Sequence, residues 1–188
     1  MKKSIALVMM AVLLVAASVM GTLAYLTSTD TVKNTFTVGK VAITLDEADV
    51  DVYGAPIENA ARVRANEYKL IPGHAYTKDP TVHFAAGSEA SWLFVKVENG
   101  IAAIEADTTI ADQITTNGWD ALTGVDGVYY KQVAANTNAA DYPVFGSFKL
   151  KGDAEVKNYA TAKVTVTAYA IQADGFDTPA AAWAEVSK

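Results

Sequence analysis

Beyond Thr35 the chain is dominated by runs in which apolar side chains return at every second position. That period commits it to strands, because a strand turns successive side chains to opposite faces. The runs are 36–45, 67–71, 81–85, 92–97, 128–133, 144–150 and 162–171. In the first, Phe36 and Val38 are followed by Val41, Ile43 and Leu45, so the phase changes at Gly39-Lys40 and predicts a bulge or bend. A shorter eighth strand is expected to start at Trp119, with Gly124-Val125-Asp126-Gly127 turning it back into Val128-Tyr129-Tyr130 as a hairpin. Pro72-Gly73, Ala86-Gly87, Asn99-Gly100, Asn117-Gly118 and Lys151-Gly152 punctuate the runs at turn positions.

Helix is confined to two short pieces. Residues 109–114 carry Ile110, Ala111 and Ile114 at helical spacing, and 179–183 begin with a proline just after a possible N-cap, Thr178. The expected fold is therefore all-β: an antiparallel two-layer β-sandwich of jelly-roll, or Greek-key, type over residues 36–188, with an immunoglobulin-like sandwich as the alternative. The acidic stretch 46–66 is expected to be a mobile excursion.

Chemistry is bounded by what the chain contains. It has no cysteine, which excludes disulfides, thiolate-bound metals and a thiol nucleophile. Its formal net charge of -6 argues against nucleic acid as a partner, since phosphate backbones are bound by clustered Lys and Arg. Lys2 and Lys3 precede an apolar run from Ile5 to Met20, and Thr22 and Ala24 supply small side chains after it. This reads as a signal peptide over residues 1–24, cut between Ala24 and Tyr25; an uncleaved membrane anchor is the other reading. The expected product is secreted.

Candidate sites are few. His74 and His83 are nine residues apart with Pro80 between them, and no His-Glu-x-x-His pair exists. A bend could still join them with Asp79 or Glu89 as a third ligand for zinc; packed or solvent-facing histidines are the plainer reading. Glu47, Asp49 and Asp51 alternate and could share calcium, or form a solvated acidic loop. Lys78-Asp79-Pro80 reads as a water-exposed turn. Ser88 and Ser91 lack a nucleophile elbow. Trp92, Trp119, Tyr129 and Tyr130 could make an aromatic platform for glycan, although core packing explains them more economically. From the residues themselves, no catalytic group, metal or cofactor is expected.

Three stretches carry a family resemblance. GTLAYLTSTDTVKNTFTVGKVAITLDE, residues 21–47, resembles the N-terminus of the TasA and camelysin family of Gram-positive exported proteins. LIPGHAYTKDPTVHFAAGSEASWLFVKVEN, residues 70–99, and TVTAYAIQADGFDTPAAAW, residues 165–183, resemble its Pro-Gly turn with two following strands and its closing strand. The middle of the chain, 101–157, adds nothing to the likeness. The resemblance implies processing by a signal peptidase of the SipW type and a subunit of extracellular, biofilm-matrix fibres, with further copies of itself and related matrix proteins as partners. It also implies head-to-tail assembly by donor-strand exchange through residues 25–35, with Tyr25, Leu26, Val32 and the adjoining Phe36 as the assembly residues. A camelysin-like metallo-endopeptidase and a monomeric surface-binding module are the alternatives.

Overall fold

The computed structural model describes Gly39–Lys188, which clusters as one compact unit. Expectations that fall on residues 1–38, including the cleavage site and Tyr25, Leu26, Val32 and Phe36, lie outside the described residues. Within them the protein is mostly β, built from antiparallel sheets with two short α-helices.

The elements follow in chain order: β1 (Ile43–Asp46), β2 (Ala75–Thr77), β3 (Thr81–Phe84), β4 (Ser91–Asn99), α1 (Ile110–Thr116), β5 (Asp120–Ala121), β6 (Val128–Val133), β7 (Ala140–Pro143), β8 (Ser147–Lys149), β9 (Val164–Gln172) and α2 (Pro179–Val186). They form a four-stranded sheet β5-β6-β4-β9, a three-stranded sheet β1-β3-β7 and a two-stranded ribbon β2-β8. Among the described residues both β1 and β9 are edge strands, each paired on one side only within its sheet.

β4 shows why the four-stranded sheet is the centre of this unit. Its alternation sends Leu93, Val95 and Val97 to one face and Trp92 and Phe94 to the other, and all five are buried. The first set joins the main core with Tyr76, Phe84, Trp119, Phe145 and Phe148. The second packs under α2 against Ala182 and Trp183, whose ring lies 5.3 Å from that of Phe94. A strand covered on both faces reads as a near-continuous apolar run, as 92–97 does.

Both helices form where expected and run further, the first starting at Ile110 with Thr109 as its N-cap. Thr109 and Asp112 close a reciprocal capping box, and Ile110 and Ile114, one turn apart, are both buried. Thr178 caps α2 by accepting from Ala181 N, with Pro179 in the first turn.

Other expectations are corrected. Residues 67–71 are not a strand: Lys69 N donates to Val52 O and Ile71 N to the Tyr76 hydroxyl, so their hydrogen bonds go to a loop and a side chain. The run 144–150 contains only the short β8, because Val144 and Phe145 are buried in a loop. β2 and β7 were not expected. The stretch 46–66 is no mobile excursion but a tied loop, held by antiparallel bridges Glu47 to Val63 and Val50 to Pro56.

Candidate functional site

A groove of about 1220 Å³ runs between the free edges of β1 and β9. Ile43 and Leu45 form one wall, Val164, Val166 and Ala168 the other, and all five are half-buried against the main core. Tyr68 and Leu70 reach it from the segment that follows the tied loop. Phe148 and Ile101, both buried, close the floor. Half-covered apolar side chains beside two strand edges leave both hydrophobic surface and backbone hydrogen-bonding groups unsatisfied by the sheets of the described residues, the combination that receives an added strand.

One part of the groove is polar and tightly bonded. Lys78 Nζ lies 2.5 Å from Glu47 Oε2, the two side chains being 10% and 6% exposed. Asn66 Nδ2 donates to the other oxygen of Glu47 at 3.0 Å and to Ala48 O at 2.8 Å, while its Oδ1 accepts from Val50 N at 3.1 Å. The Tyr68 hydroxyl donates to Thr77 O at 3.0 Å, and Lys78 Nζ stands 5.9 Å from the Tyr68 ring centroid. Burial first, then the nearby charges of Glu47 and Asp79, push the Tyr68 phenol well above its ordinary value. This phenol stays a neutral donor.

Beside the groove, β1 is clasped to its neighbours. His83 on β3 directs Nε2 to Asp46 Oδ1 on β1 at 2.9 Å and Nδ1 to Asp141 Oδ1 on β7 at 2.6 Å. Arg62 donates from Nε to the same Asp46 oxygen and from Nη1 to Asp79 Oδ2 at 2.9 Å. Hydrogen bonds to Asp46 and Asp141 raise the His83 pKa above the usual imidazole value. Burial works against charge on Asp46, but Arg62 and His83 together outweigh it and hold that carboxyl below its usual range.

The structure separates the residues considered for metal. His74 Nε2 meets Tyr53 O at 2.9 Å, His83 sits between Asp46 and Asp141, and Asp79 accepts from Ala48 N and Arg62. Glu89 contributes its backbone to Lys40 and Ser91. Glu47 is paired with Lys78, and Asp51 caps its own loop by accepting from Tyr53 N and Ala55 N, so Glu47, Asp49 and Asp51 do not converge. Among the described residues no group of three or more His, Asp or Glu is placed to hold a metal ion. Lys78-Asp79 is likewise not a water-exposed turn, since both side chains are tied to charged partners.

Trp92 and Trp119 are buried and donate from Nε1 to Phe176 O and Pro143 O, and Tyr129 and Tyr130 are half-buried, as core packing requires. Sequence reasoning missed Arg62, Asn66 and Tyr68. All three lie where the chain reads as excursion or strand, and only their polar character within a sparse apolar pattern could have marked them. Among the described residues no helix is long and apolar enough to cross a membrane. No protein-family model, no curated protein and no solved structure matches the chain.

Proposed function

We propose that the protein is a secreted structural subunit of extracellular, biofilm-matrix fibres, joined head-to-tail by donor-strand exchange once a signal peptide has been removed. The observation that carries this reading is the apolar groove between the free edges of β1 and β9. Its volume exceeds the roughly 300–1,000 Å³ of clefts that enclose small ligands. An extended segment would add backbone hydrogen bonds at one of the edges and cover the half-buried Ile43, Leu45, Val164 and Val166. In this reading the sheets are the layers of a jelly-roll sandwich left open along one seam, and residues 25–35 of the next copy close it. Because donor and acceptor surfaces differ, the contact is head-to-tail and need not close on itself. The engagement of His83 by two carboxylates and of His74 by a carbonyl supports a structural rather than a catalytic role.

The test compares secreted chains beginning at Tyr25 and at Thr35. Electron microscopy is expected to find filaments only for the first; identical filaments from both would overturn the proposal.

A further inference from the structure

The groove carries a charge opposite to that of the protein around it. The whole chain has a formal net charge of -6. Of the carboxylates that line the groove, Asp46 is taken up by Arg62 and His83, and Glu47 by Lys78. Arg64 and Lys163 line it as well, and neither has an acidic group within 4.0 Å among the described residues. Glu67 is the single lining carboxylate in the same position, which leaves an excess of positive charge. An apolar groove with two cations to one carboxylate unpaired among the described residues fits an occupant that is apolar and carries an anion.

The chain contains such a segment. In an extended strand Leu26, Ser28, Asp30 and Val32 share one face, because alternate residues do. Seating Leu26 and Val32 in the groove therefore forces Asp30 in with them. A carboxylate taken from water without a partner is costly, and one that meets a cation is not. Resting on the donor-strand reading, we infer that Asp30 of one copy pairs with Arg64 and Lys163 of the next, and that this pairing sets the register of the inserted strand.

The consequence is selectivity rather than affinity alone. A slip of one residue would turn Thr27, Thr29 and Thr31 inward in place of Leu26 and Val32. A slip of two would keep the parity but set Asp30 against apolar wall instead of the cations. A single polar group in an otherwise apolar seam fixes register in the same way in coiled coils.

The experiment is a charge swap in the secreted chain beginning at Tyr25, read as the concentration at which filaments form by sedimentation and electron microscopy. Asp30→Lys alone, and Arg64→Glu with Lys163→Glu, should each raise that concentration by about tenfold or more, the equivalent of roughly 1.4 kcal/mol per decade. Combining all three should bring it back to within about threefold of the parent. Circular dichroism of the unassembled variants controls for folding; should the double glutamate fail to fold, Arg64→Ala with Lys163→Ala replaces it and should weaken assembly without needing the swap. An Asp30→Lys chain that assembles like the parent, or a triple variant no better than its components, would overturn the inference. If the chain beginning at Thr35 assembles as well as that beginning at Tyr25, the donor-strand reading itself has failed; if it does not and the swap is still without effect, only the role of Asp30 has.

Discussion

Lys78 reaches back 31 residues to Glu47 and ends 2.5 Å from its carboxylate in a site almost closed to water. The pair ties the start of the long loop to the strand that precedes Pro80. Each charge is tolerated because the other is there. Lys78→Met should therefore destabilise the protein by about 3–5 kcal/mol, since it strands a buried carboxylate. Adding Glu47→Leu to it should restore most of the loss or all of it, because the apolar pair leaves no charge behind. Urea unfolding of wild type and the two variants decides the matter, and a double variant as unstable as the single would contradict the argument.

His83 adds a pH dependence. Both of its ring nitrogens face carboxylate oxygens, a contact that only the doubly protonated ring satisfies on both sides. Asp46 and Asp141 raise its folded pKa, so its contribution is fully present below the unfolded value of about 6.5 and is lost as pH rises through the folded value. Asp46 runs the other way: its lowered pKa confines its own loss to more acidic solution, below about 3.9. The stability advantage of wild type over His83→Gln, on the order of 1 kcal/mol near pH 5.5, should shrink as pH passes through the raised His83 value. Denaturant unfolding across pH 5.5–9 tests this, and an advantage independent of pH would refute it.

Gly54 reports on how firmly the loop is built. It sits at φ +79°, and a β-carbon there would come within 2.8 Å of the Tyr76 α-carbon. Gly87 has a similar φ of +71° with nothing within 4 Å. Left-handed backbone alone costs a residue with a β-carbon about 1–2 kcal/mol, so Gly87→Ala should lose about that much. Gly54→Ala should lose clearly more, because Tyr76 lies fully buried beneath it, stacked on Phe148. Thermal unfolding of the two variants should rank them in that order; equal losses would mean that the loop yields.

What could be read from the chain depended on where its backbone hydrogen bonds went. β4, β6 and β9 were legible because each is a long run paired along most of its length, with side chains sorted between two packed faces. Residues 67–71 show the same alternation, with Tyr68 and Leu70 on the core side, yet their amides bond to Val52 and Tyr76 rather than to a ladder. Alternation marks a face, not a sheet. β7 escaped notice because Ala140-Asp141-Tyr142-Pro143 offers little apolar signal and ends in a proline, which an edge strand tolerates. The groove was not legible at all, since it lies between β1 and β9, strands far apart in sequence whose shared opening is a product of sheet order.

That opening yields the last prediction. Ala168 is a half-buried side chain on the β9 wall, and a tryptophan there would add bulk that takes up the groove. A chain beginning at Tyr25 with Ala168→Trp would then keep a donor segment and lose its acceptor. A chain beginning at Thr35 is its complement, with a groove and no donor. If assembly is head-to-tail, neither should form filaments alone, and an equimolar mixture should stop at pairs, because each pair has used its one donor and its one open groove. Added in small amounts to the unaltered chain, either variant should shorten filaments by occupying one end. Analytical ultracentrifugation of the mixture and filament lengths by electron microscopy give the answer. Filaments from the mixture would show that copies meet through some other surface.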